Sequence, residues 1–313
     1  MGPVSDLLGG CAEETRDVLE KNPPVEDAEP EDLDAYDLPD SKNKTWFRLN
    51  DVVVVFADLQ NSTAMGTGKH AASTAAIYRA ATGNVVQIMD SFSADFIQIQ
   101  GDGVFAIFWG DARFERALCA GVTVKTFSSE TLVPKLESRW SDGPETGFKI
   151  GIASGRTLVK NLGTPRNESQ QEPVWAGKPV NFAAKAAQQA VRHELIITGS
   201  VWDAIRDNDY LTVTCRCSPS ANLWQDVTIE KLTHDEDEAA GRLLEQEWCV
   251  SCRDDFCAAI LAGETYREDA DDVREVVRKS QQVTALRRAH EVNRAQRRAH
   301  RRGKAGFGRG RRG

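Results

Sequence analysis

Asp51-Val-Val-Val-Val-Phe-Ala-Asp-Leu-Gln-Asn-Ser-Thr63 is the stretch on which the fold turns. Four consecutive valines and a phenylalanine, bounded by polar residues and too short for a helix, spell a buried strand over 51–58. The strand ends on the carboxylate of Asp58. Leu59, Asn61, Ser62 and Thr63 follow as a turn into a helix, and Asn, Ser and Thr are natural cap residues. The backbone N–H groups of such a helix start suit a phosphate.

Working outward, apolar residues at Ile77, Ala81, Val85, Ile88 and Met89 predict a helix over 73–92. Strands are predicted at 95–100 and 104–109, joined by Gly101-Asp102-Gly103 as a hairpin turn. That turn carries a second lone carboxylate, Asp102. A helix over 112–129 and a second hairpin, 148–153 with 156–161 around Ser154-Gly155, come next. A helix over 180–191, a strand at 194–198, a short helix at 201–206 and strands near 210–215 and 226–231 complete the pattern. The order suits an α+β sandwich, a mostly antiparallel sheet covered by helices on one face.

Four units are expected along the 313 residues: a weakly ordered acidic leader over 1–44, a folded domain over 45–233, a charged helical extension over 234–302 and a flexible Gly/Arg tail over 303–313. Within the leader one helix is expected over 11–21, followed by an extended segment. Within the extension, helices are expected over 234–262 and 269–302. The net charge of −8 hides an asymmetry: residues 1–40 hold 13 Asp/Glu and 2 Lys/Arg, whereas 278–313 hold 13 Lys/Arg and one acid. No apolar run is long enough to span a membrane and no signal peptide is evident, so a cytoplasmic protein is expected. The basic end raises nucleic-acid binding through 278–313 as a different class of function, against the plainer expectation of a solvated tail.

Seven scattered cysteines do not form a disulfide framework. Cys249-Val-Ser-Cys252, followed by Cys257, has a metal-ligand spacing. With His234 the nearest histidine and no second cysteine pair following, the tetrahedral set looks incomplete, and free thiols are expected. Cys215 and Cys217, on a strand-like segment, are given no special role.

A third segment joins the two aspartates. Val174-Trp-Ala-Gly-Lys-Pro-Val-Asn-Phe-Ala-Ala-Lys185 runs from a glycine-containing loop into a helix, with Asn181 and Lys185 four residues apart on one face. Together the three segments resemble the class III nucleotidyl cyclases, over roughly residues 50–232. The resemblance implies a ferredoxin-like sandwich with a C-terminal helical extension. It implies two divalent cations, Mn²⁺ or Mg²⁺, on Asp58 and Asp102, with Leu59, Asn61, Ser62 and Thr63 at the phosphates. Asn181 would orient the ribose and Lys185 would neutralise the α-phosphate. The family normally has Arg at that last position, so the bidentate fork is lost here. The resemblance also implies a homodimer with shared active sites, in which Asp58 and Asp102 of one chain meet Asn181 and Lys185 of the other.

Base selection departs from the purine cyclases. Adenylate cyclases of the family usually pair a Lys before the second metal Asp with an Asp before the Trp-Gly segment, and guanylate cyclases use Glu and Cys. Here Gln98 occupies the first position, and Pro173 and Val174 precede Trp175. Gln98, Val174 and Trp175 are the candidate base-binding residues; a glutamine can donate and accept, which suits a pyrimidine. The chain is most similar to the pyrimidine cyclases of bacterial Pycsar antiphage systems, which implies UTP, or else CTP, as substrate and a separate effector activated by the cyclic nucleotide. The alternatives are a purine cyclase in ordinary signalling and a non-catalytic cyclase-like protein that binds nucleotide or RNA.

Overall fold

The computed structural model describes residues 2–164, 167, 170–217 and 222–287. Helix α1 (Pro3–Glu20) buries no residue. Strand β1 (Val25–Asp27) then pairs in parallel with β2 (Trp46–Leu59). After β2 come α2 (Ser62–Gly66), α3 (Ala71–Ser91) and the hairpin β3 (Phe96–Gln100) and β4 (Gly103–Phe108). Helix α4 (Arg113–Thr126) passes through a π-helical turn at Phe127–Leu132 into α5 (Val133–Arg139). Strands β5 (Phe148–Gly163) and β6 (Gln171–Gly177), helix α6 (Lys178–Gln189), strand β7 (Leu195–Ile197) and helices α7 (Gly199–Ile205) and α8 (Asp209–Thr212) follow. Strand β8 (Trp224–Thr228), helix α9 (Glu236–Ala239), strand β9 (Ala240–Leu244), helix α10 (Arg253–Leu261) and helix α11 (270–287) end the described chain.

Among the described residues the strands form one nine-stranded sheet, ordered β3-β4-β2-β5-β7-β9-β8, with β1 on β2 and β6 on β5. Apart from β1/β2 and β5/β7, the pairings are antiparallel. Val52, Val53, Val54 and Val55 are all fully buried because both faces of the sheet are covered. Val53 and Val55 pack with Ile150 and Ile152 under α3 and α4. Val52 and Val54 pack with Ala153 under Phe182 and Ala183 of α6. Each valine contributes about 1.5–3 kcal/mol relative to exposure. Helices therefore lie on both faces, not on one as the sequence suggests. The second face requires close approach: a Cβ on Gly151 would stand 2.0 Å from the Ala183 carbonyl oxygen, so only glycine lets α6 sit down on β5.

Four further expectations are corrected. Ser154-Gly155 is not a turn, and 148–163 is one strand. Gly155 lies beside the register shift in β2 between Leu49 and Val52, where a glycine accommodates the bulge. The segment near 210–215 is not a strand. Asn208 caps it as a helix, its side chain accepting from the backbone N–H groups of Tyr210 and Leu211. The helix expected over 234–262 is interrupted by β9, which inserts between β7 and β8, so the sheet runs beyond residue 233.

The acidic leader is also not loose past residue 24. Ala35 and Leu38 are buried in the second core layer. Trp109 Nε1 donates to Pro30 O, Ile97 N to Tyr36 Oη and Asn161 Nδ2 to Leu38 O. Two apolar residues, two backbone carbonyls and the Tyr36 hydroxyl hold this strap. Helix α11 ends its described part at 287, and the rest of the predicted 269–302 helix and of the basic end lies outside the described residues.

Candidate active site

Strand β2 carries Asp58 to the end of the sheet, where it pairs across the ladder with Lys149 of β5. The Lys149 ammonium lies 2.7 Å from the Asp58 carboxylate, both groups being partly exposed. Strand β4 runs antiparallel to β2 with Val104 opposite Ala57. The tip of the β3–β4 hairpin, Gly101-Asp102, therefore stands beside Asp58. Gln100 pairs with Gly103, leaving a two-residue turn, and Gly101 takes φ +65° to close it.

The chain then reverses. Asn61 adopts a left-handed conformation (φ 57°), which asparagine tolerates, and opens α2. The 145–147 segment braces the turn: Asn61 Nδ2 donates to Glu145 O at 2.8 Å, Thr146 Oγ1 to Gln60 O at 2.7 Å and Gln60 N to Gly147 O at 3.0 Å. The result is one open cleft lined by Asp58, Leu59, Asn61, Ser62, Thr63, Ala64, Thr67, Asp102 and Lys149. It brings two carboxylates, a lysine and the first-turn N–H groups of a helix to one place. Two carboxylates are hard oxygen donors of the kind Mg²⁺ and Mn²⁺ take. The motifs of the sequence did not single out Lys149. Its signal is a cation alternating between buried Phe148 and Ile150, on the strand that pairs with β2.

Asn181 and Lys185 do not line this cleft. They sit on α6, against the opposite face of the sheet from α3 and α4. Asn181 is exposed, with Nδ2 donating to Gly177 O at 3.1 Å, and the Lys185 ammonium stands 5.5 Å from the Phe182 ring centre. Of the candidate base-binding residues, Gln98 is half-buried on β3 opposite Phe105, and Val174 is exposed on β6. Trp175 is buried, its ring 5.1 Å from that of Phe96 and 5.8 Å from that of Trp109, centre to centre. Its indole N–H is buried without a hydrogen-bond partner. Trp175 thus packs in the core beside two tilted aromatic neighbours.

The order β3-β4-β2-β5, with two aspartates at one end and the Asn181/Lys185 helix, defines a class III nucleotidyl cyclase domain. The adenylyl cyclase CyaB from P. aeruginosa superposes with a TM-score of 0.51 at 16% identity, covering 64% of this chain and 95% of that one, a likeness of fold. No family model matches the sequence. A uridylate cyclase from Micromonospora echinofusca is 52% identical over 267 residues, 85% of each chain. A uridylate cyclase from Propioniciclava tarda is 46% identical over 286 residues, 90% of this chain and 92% of its own. The chain belongs to the uridylate cyclase family.

Proposed function

We propose that this protein converts UTP to 3′,5′-cyclic UMP and diphosphate. The convergence of Asp58 and Asp102 beside the 59–63 turn carries this reading, and the two close relatives named uridylate cyclase support the base. The ribose 3′-oxygen loses its proton and attacks the α-phosphorus; the bond from that phosphorus to the diphosphate oxygen breaks. Two divalent cations held by Asp58 and Asp102 would lower the pKa of the 3′-hydroxyl and neutralise the β- and γ-phosphates. The 59–63 turn receives the triphosphate, and Lys149 adds positive charge there. Asn181 orients the ribose and Lys185 neutralises the α-phosphate.

Because Asn181 and Lys185 lie outside the cleft of their own chain, the reading includes a homodimer whose two sites each draw on both subunits. Gln98 reads the pyrimidine through a group that both donates and accepts. Cyclic UMP then serves in the cytoplasm as a second messenger of antiphage defence, activating a separate effector. No helix among the described residues is long and apolar enough to cross a membrane.

The test offers Mn²⁺ with each of ATP, GTP, CTP and UTP to the purified protein and to Asp58→Ala. Cyclic UMP from the parent and none from the variant is the expected outcome. A purine product, or cyclic CMP alone, overturns the choice of base.

A further inference from the structure

We propose that Cys215, Cys217, Cys249 and Cys252 hold one zinc ion as a tetrathiolate site, separate from the catalytic cleft. The four sulfur atoms all lie within 4.8 Å of one another. Cys217 Sγ and Cys252 Sγ are 3.6 Å apart. A Zn–S bond of about 2.3 Å in a tetrahedron sets sulfur–sulfur edges of about 3.8 Å, so this separation is that of two ligands on one ion. It is well beyond the covalent S–S length of about 2.05 Å, and all four thiols are free. An iron–sulfur cluster, with inorganic sulfide inside it, needs more widely spread thiolates. Among the described residues this is the one group of three or more His, Cys, Asp or Glu ligand atoms close enough to share an ion.

The two pairs come from segments more than thirty residues apart. Cys215 and Cys217 follow α8. Cys249 and Cys252 form a tight turn just before α10, in which Cys252 N and Arg253 N both donate to Cys249 O, at 3.0 and 2.9 Å. This Cys-x-x-Cys turn aims two sulfurs at one point. The mate it lacked in the sequence lies upstream of it, and it is not Cys257, which sits on α10 outside the four-sulfur group. One ion here closes the loop across β8 and β9 and fixes the start of α10 to the end of α8. Four thiolates around Zn²⁺ leave a net negative charge, and Arg216 and Arg253 flank the ligands in sequence. Cys215 is buried, Cys249 and Cys252 are half-buried, and Cys217 stands exposed at the rim of the cluster.

The experiment measures zinc by elemental analysis on the full chain purified under reducing conditions, and on chain stripped and then reloaded with zinc chloride. The parent and Cys11→Ser, a change on exposed α1, are expected to hold about one zinc per chain. The double variant Cys217→Ser/Cys252→Ser is expected to hold about tenfold less. Reloading stripped parent with cobalt should give the intense visible bands of a tetrahedral cobalt thiolate, a readout that needs no variant to fold. Substoichiometric zinc both as purified and after reloading, with no such bands, overturns the proposal. So does mass spectrometry finding these cysteines paired as disulfides in the protein as purified. Cyclase activity is not the readout, so this outcome is independent of the proposed reaction.

Discussion

The candidate-site end of the sheet and the C-terminal lobe of residues 208–287 use charge in opposite ways. In the cleft, Asp58, Asp102 and Lys149 are only partly buried, and the Asp58–Lys149 pair is left open to solvent and ligand. In the lobe, the Arg267 guanidinium is almost wholly enclosed. It donates to Val213 O at 2.8 Å, Thr214 O at 3.2 Å, Asp209 O at 3.3 Å and the Asp269 carboxylate at 2.9 Å, and it lies 4.5 Å from the centre of the Phe256 ring. Asp209 in turn accepts from Arg267 N and from Arg274. A charge kept available for ligands contributes to chemistry, whereas one closed off by its partners contributes to architecture. Removing the first should cost turnover with little stability, and removing the second the reverse.

The largest effect that could break this contrast lies in the proposed shared site. Asp58→Ala and Asn181→Ala should each reduce cyclisation by about 10³-fold, the several kcal/mol a metal or transition-state contact supplies, while unfolding free energy stays within about 1 kcal/mol of the parent. Mixed in equal amounts and allowed to exchange subunits, the two dead variants should recover about a quarter of parental activity, since half the dimers would carry one intact site of two. A mixture as inactive as either variant alone would refute the shared site and leave the distant placement of Asn181 unexplained.

In the lobe, Arg267→Ala leaves the buried Val213 and Thr214 carbonyls without this donor and Asp269 with Arg216 as its remaining cationic partner. Denaturant unfolding should show a loss of about 3–5 kcal/mol, with α11 becoming protease-sensitive. Turnover per folded molecule, measured well below the new midpoint, should stay within about twofold of the parent. A variant that is stable but inactive would show that the lobe belongs to the catalytic machinery.

The same contrast explains what could be read from the residues alone. Asp58, the 59–63 turn and Asp102 are specified by short-range signals, a buried strand ending on a carboxylate and glycines at a hairpin, and the structure brings them together. The lobe is specified by long-range closure. Nothing near Cys249 indicates that Cys215 and Cys217 lie beside it, and nothing in Ala240–Leu244 announces a strand until β7 and β8 are there to flank it. The leader was obscured for a related reason, because Ala35 and Leu38 are two apolar residues in an acidic run. Lys149 lay between, visible as an alternating cation but meaningful only once the register set it opposite Asp58.

The smallest expected effect tests the seam between the two regions. His193 N donates to Phe148 O at 2.7 Å, next to Lys149, and its Nδ1 lies 3.1 Å from Ser128 Oγ. On the lobe side, Lys125 Nζ donates to His193 O and pairs with Glu247, two residues before Cys249. Burial first, then the positive charges of Arg192 and Lys125, hold the His193 imidazole below its ordinary pKa of 6.5, against the opposing pull of Glu247 and Glu137. The folded chain therefore favours the neutral ring. Above pH 6.5 neither state gains a proton and this contribution is intact. As pH falls through 6.5 toward the lower folded value, the unfolded chain takes up the proton first and stability declines. Thermal midpoints followed from about pH 7.5 to 5.5 should fall more steeply for the parent than for His193→Gln, which cannot titrate. Parallel slopes would mean that the seam is insensitive to the charge on residue 193, and that any acid sensitivity shared by both proteins arises elsewhere in the fold.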